Sequence, residues 1–148
     1  MTRKQIVSLM ALMLAVPVTA AIYFTPKAKP CFVAGSAAYR VAESGAANVT
    51  VRIDNTAARP NLRMQIVDDP AAADFVLVDD GESGTCDGAV ETIRLDSEAS
   101  NPDVTVSLSH DAADYKLYVR SPRFSTQDAA AFFAVMWRNA RARTVAVN

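Results

Sequence analysis

The chain has 148 residues, 51% apolar and 21% charged, a balance that suits one domain with one appended segment and excludes a disordered or low-complexity chain. Lys and Arg number 15 against 16 Asp and Glu, but the first thirty residues hold Arg3, Lys4, Lys27 and Lys29 and no acid, so Cys31 to Asn148 carries 11 basic and 16 acidic residues. A body with that acidic excess, and with no stripe of Lys and Arg interleaved with aromatics, repels phosphate backbones; nucleic acid is excluded from the expected partners.

Residues 1–30 separate from the rest by composition. Ile6 to Phe24 is uncharged and, as a helix, spans about 28 Å, enough to cross the hydrocarbon core of a bilayer. Tyr23 and Phe24, followed by TPKAKP, read as an interfacial anchor ahead of a stiff exit. The competing reading is a cleavable signal peptide, with Val18 and Ala20 before the cut and a mature chain starting at Ala21. The expectation is a single-pass inner-membrane protein of a bacterium with residues 31–148 as one periplasmic domain.

Cys31 and Cys86 make an even pair in a chain read as exported, and their spacing fits no metal motif, so a disulfide is expected between them. From residue 38 onward, period-two alternation predicts strands in VTVRI (49–53), LRMQIV (62–67), VTVSLS (104–109) and YKLYV (115–119), less regularly in VETIRL (90–95) and weakly in AAYRVA near Tyr39, and the short apolar run DFVLV (74–78) reads as a buried strand. Clusters of Gly, Pro, Asn and Asp join them. Connections this short predict a mainly antiparallel sheet, with one face on a core and one toward water.

A helix is expected over the C-terminal region. Ser125 or Thr126 can cap it, Asp128 sits in its first turn, and Arg138, Arg141 and Arg143 sit near its far end. Ala129 to Trp137 is apolar on every side, which fits a helix buried in its own domain or one that offers Phe132, Phe133, Met136 and Trp137 to a partner. The tail TVAVN alternates like a short edge strand. The fold class expected is α+β, an N-terminal transmembrane helix followed by a small sheet covered by this C-terminal helix.

Candidate chemistry is thin. The pairs Asp68–Asp69 and Asp79–Asp80 would suit a hard cation if they met, but a hairpin places them at opposite ends. The stretch DDGESGTCDG lacks the ligand order of a calcium hand, and reads as a turn whose Asp79 and Asp80 face water near Arg59 or Arg63. His110 is the sole histidine, and no G-x-S-x-G, G-x-G-x-x-G, Walker or C-x-x-C motif accompanies it. No catalytic residue, metal ligand or cofactor is therefore assigned. The expected function is a membrane-anchored, non-catalytic accessory subunit or assembly factor of an envelope complex, with the bilayer and a protein as partners. The alternatives are a released periplasmic ligand-binding module and a carboxylate/His-dependent hydrolase.

Overall fold

The computed structural model describes residues 30–42, 44–79, 86 and 89–146. They form β1 (Phe32–Ala34), β2 (Ala37–Ala42), β3 (Val49–Ile53), β4 (Leu62–Ile66), a 3-10 turn (Pro70–Ala72), β5 (Phe75–Val78), β6 (Val90–Leu95), β7 (Val104–Ser109), β8 (Tyr115–Arg120) and α1 (Thr126–Ala146). The architecture is α+β with one C-terminal helix, and each alternating run is a strand. The helix continues through Ala146, so the alternation of Thr144 to Ala146 does not make a strand. Ile6 to Phe24 lies outside the described residues.

The strands stand in the order β1-β2-β6-β3-β7-β4-β8-β5. Among the described strands only β1 and β2 run antiparallel; every other pairing there is parallel, which overturns the expected mainly antiparallel sheet. The expectation assumed that a parallel neighbour requires a long return crossover. Here the chain never returns between steps. Val49, which opens β3, lies level through Ile93 with Val41 near the end of β2. Leu62 of β4 is level through Val106 with Ile53 at the end of β3, and Phe75 of β5 is level through Leu117 with Ile66 at the end of β4. Within the runs β2 to β5 and β6 to β8, each strand starts where its predecessor stopped, two places across, so a short loop covers a lateral step of about 10 Å.

Strands β2-β3-β4-β5 form one staircase, and β6-β7-β8 form a second that fills the gaps between its steps. In the second, Val104 is level through Val51 with Leu95, and Tyr115 through Met64 with Leu108. Four Asx residues, each directly before a strand, lock this register. Asn48 donates its backbone N–H to the Thr92 carbonyl, and its side chain accepts the Thr92 N–H, both at 2.8 Å. Asn61 does the same with Thr105 (2.8 and 2.7 Å), Asp74 with Lys116 (2.9 and 2.7 Å) and Asp103 with Thr50 (both 2.8 Å). A side-chain oxygen thus takes the place of a backbone carbonyl where the ladder begins.

The climbing register curls the sheet, as stagger does in barrels, until its two terminal strands approach. Phe32 on β1 and Phe75 on β5 meet edge to face, with ring centroids 6.0 Å apart. Helix α1 runs inside the curl. Ala129, Ala130, Ala131, Phe132, Ala134 and Val135 are all fully buried. Successive helical residues point about 100° apart, so consecutive buried positions leave this segment no outer side. The alanines keep it thin enough for strands to surround it. Phe132 stacks on Phe32 at 4.7 Å and meets Phe124 edge to face at 5.4 Å. Inward rows such as Val41–Ile93–Val49 and Ile53–Val106–Leu62 supply the rest of the core. At the helix start, Ser125 Oγ accepts from the Asp128 N–H (3.1 Å) while Asp128 Oδ2 accepts from the Ser125 N–H (2.9 Å), a capping box that buries an acid in the first turn.

Candidate interaction surface

With the first half of α1 enclosed, the water-facing chemistry lies on the sheet exterior, in the loops and on the last turns of the helix. The outward strand positions carry Arg40 (β2), Arg94 (β6), Arg52 (β3), Arg63 (β4), and Lys116 and Arg120 (β8). Thr92, Thr50, Thr105 and Ser107 alternate with them in the register. Among the described strands the lone acid is Glu91, level with the inward-facing Tyr39. The sheet exterior is therefore cationic on a body whose overall charge is negative.

Loop acids soften part of this face. Asp54 lies 3.7 Å from Arg52, and Asp96 lies 3.9 Å from Arg94. The hydroxyl and N–H of Thr56 donate to Asp54 and, with Arg52 nearby, hold its carboxyl below the usual carboxylate range. Arg52 and Arg94 also donate to the Ala99 carbonyl (3.0 Å) and the Thr50 hydroxyl (3.2 Å), while Arg40 Nη2 lies 3.4 Å from Cys31 Sγ. On β8, Lys116 and Arg120 are exposed, and no carboxylate among the described residues forms an ion pair with either. Next to them, Val76 and Val78 of β5 stand level with Tyr118 and Arg120 and are 44% and 50% exposed. Val33 of β1, across the seam where Phe32 meets Phe75, is 55% exposed. The most exposed large apolar side chains among the described residues thus flank the same seam.

Cys31 and Cys86 come to disulfide distance, with Cα atoms 5.8 Å apart. This pairing ties the start of β1 to the segment after β5. Of the residues offered as a partner-contact helix, Phe132 is fully buried, and Phe133, Met136 and Trp137 are half-buried against the core. Trp137 Nε1 donates to the Tyr115 hydroxyl at 3.2 Å, and the Arg141 guanidinium lies 4.7 Å from the Trp137 ring.

Asp79 is not the solvated strand end expected of it. Its carboxylate is nearly buried and is gripped by Arg123 through Nε (2.8 Å) and Nη2, and by the Ser121 hydroxyl (2.7 Å). Ser121 Oγ accepts in turn from the N–H groups of Arg123 and Phe124, so the cluster fixes the approach to α1. Arg123 takes the place expected of Arg59 or Arg63. Asp80, Glu82 and Asp87 lie outside the described residues. Strands β4 and β5 are not a hairpin: β8 separates them, and Asp79 lies a strand length beyond the level of Ile66 because β5 starts there. Asp69 is occupied as the cap of the 3-10 turn, its side chain accepting the Ala71 N–H at 2.9 Å. No group of three His, Cys, Asp or Glu side chains among the described residues is arranged to hold a metal.

His110 sits exposed at the turn after β7, and its carbonyl accepts from Gln65 Nε2 at 3.1 Å. Ser109 Oγ and the backbone of Asp111 bond to each other there. A groove of about 320 Å³ opens between the β1–β2 turn and the later part of α1, lined by Tyr39, Met136, Asn139 and Arg143 among others. Asn139 donates to Glu91 at 3.0 Å, and burial together with Glu91 pushes the Tyr39 phenol up from its ordinary value, with Arg143 opposing. Among the described residues no helix is long and apolar enough to cross a membrane.

No family model matches the chain, and no match is found among curated proteins or solved structures.

Proposed function

We propose that the chain is a non-catalytic accessory subunit or assembly factor of a bacterial envelope complex, held in the inner membrane by Ile6 to Phe24 with its folded domain in the periplasm. One observation carries this reading: the sheet presents its cations outward on Arg40, Arg94, Arg52, Arg63, Lys116 and Arg120, while every acid among the described residues except Glu91 and Asp128 sits in a loop and the first half of the helix is enclosed. A broad surface of one sign on a body of the other is suited to orienting a partner rather than to enclosing a substrate. The pairing of Cys31 with Cys86 suits an oxidising compartment. Crosslinking in native membranes followed by mass spectrometry tests the reading. A protein crosslinked to the folded domain, and lost on reversal of Arg40, Arg94, Arg52 and Arg63, supports it; a strictly monomeric chain that copurifies with nothing from mild detergent overturns it.

A second reading is favoured by the groove beside Tyr39, Asn139 and Arg143, which has the size of a small-ligand site. On that reading the signal is cleaved and the domain binds a small molecule in the periplasm. N-terminal sequencing separates the two, since a mature chain beginning at Ala21 has lost the anchor.

A further inference from the structure

We propose that the exposed corner formed by β8 and β5, with Lys116, Tyr118, Arg120, Val76 and Val78, docks on the surface of an anionic bilayer; this rests on the anchored reading above. The outward side chains of the two strands belong to the three classes that gather at a headgroup layer. Valines enter the boundary of the acyl chains, a tyrosine takes the wet–apolar border, and a Lys and an Arg meet lipid phosphates. No carboxylate stands at an outward position on either strand. The sign matters because the rest of the body is acidic and an anionic surface would push it away; this corner is a side on which the domain can come down.

The tether supplies the second argument. The described chain begins at Pro30, beside Cys31 and the β1 strand, whose Phe32 touches Phe75 of β5. Phe24 closes the apolar segment six residues before Pro30, so covalent geometry limits the gap between the two to about 20 Å. The seam is thus the part of the fold closest along the chain to the membrane, and Val33, Val76 and Val78 flank it. A patch held that close needs little intrinsic affinity, because tethering raises its effective concentration to about the millimolar range. Each cation near an anionic surface contributes about a fivefold gain in binding.

Hydrogen exchange on the full chain reconstituted in vesicles tests the proposal, comparing phosphatidylcholine alone with phosphatidylcholine containing phosphatidylglycerol. Amides of Phe75–Val78 and Tyr115–Arg120 should exchange several-fold more slowly on the anionic vesicles. The exposed double variant K116E/R120E should lose that protection without a change in its thermal midpoint. Equal exchange on both lipids, in a chain that floats with the vesicles, overturns docking and leaves the anchor standing. A chain that floats with neither overturns the anchor and docking together. Protection that is the same on both lipids and grows with protein-to-lipid ratio assigns the β5 edge to a second copy of the chain and overturns docking as well.

Discussion

Replacing any of Ala129, Ala130, Ala131 or Ala134 by leucine should destabilise the fold, and the reason is geometric. Three of these are consecutive, so their Cβ atoms fan across about 200° of the helix circumference. A helix lying on an open sheet would turn at least one of them toward water, where an added isobutyl group is accommodated. Here all four have no exposed surface, with sheet on every side. Alanine and leucine differ little in helix propensity, so the substitution reports space rather than backbone preference. Overpacking a filled interior costs about 2 kcal/mol, and for a domain of this size that lowers the thermal midpoint by about 8 °C. Ala140→Leu, at an exposed position on the same helix, should stay within about 0.5 kcal/mol of the parent. Thermal and urea unfolding of the five variants gives the comparison. A single one of the four buried sites that accepts leucine with an unchanged midpoint would refute the enclosed helix.

The register clamps are individually testable: Asn61→Ala removes an acceptor and strands the Thr105 N–H, costing about 1–2 kcal/mol in urea unfolding, and Asn48→Ala should behave alike. Asp79→Asn weakens the grip on Arg123 by about 2 kcal/mol, less than a fully buried pair would lose because Arg123 still reaches water; a double-mutant cycle with Arg123→Gln should show coupling. A Cys31–Cys86 bridge closes a separation of 55 residues, so reduction should lower stability by about 4 kcal/mol on the chain-entropy model, and two thiols titrating freely in periplasmic protein would contradict the pairing. The folded state disfavours Tyr39 phenolate, so the stability it contributes is intact below the ordinary tyrosine pKa and is lost as pH rises through its raised folded value; Tyr39→Phe should delete a phase of the tyrosine absorbance titration that lies above the ordinary tyrosine value.

Strand positions were legible in the sequence because period-two alternation marks a half-buried sheet face. Helix α1 was legible because Ser125 and Asp128 announce its start. Strand direction was not. Parallel sheets are commonly covered on both faces and read as continuous apolar runs. This one has a helix on its inner side and water on its outer side, so it alternates as an antiparallel sheet does. A direction-dependent sign was nonetheless present: Asn48, Asn61, Asp74 and Asp103 each stand immediately before a strand-forming run. Only the fold reveals that each meets a residue of a strand far away in the chain. The outward cations were hidden for a related reason. They come one or two to a strand, and only the interleaved sheet order brings them onto one surface. Net charge, which sums loops and strands together, conceals them.

The separation of signs follows from what the backbone requires at each place. A staircase of strands has a turn after every step, and turns leave N–H groups that need acceptors. Asp54, Asp69 and Asp96 accept from Thr56, Ala71 and Glu98 two residues on, while Asp74 and Asp103 clamp neighbouring strands. These carboxylates are committed to architecture. A lysine or arginine cannot accept a hydrogen bond and so has no such task, yet its long stem covers a strand surface well. Acids are thereby drawn to the loops, and cations are left on the exterior of the sheet. The two sets should then respond differently to substitution. Neutralising a loop acid that accepts a backbone N–H should lower stability and leave association with membrane or partner largely intact. Reversing Lys116 or Arg120 should do the opposite. A loop acid whose loss abolished association at unchanged stability would break that division, and with it the assignment of the sheet exterior as the working surface.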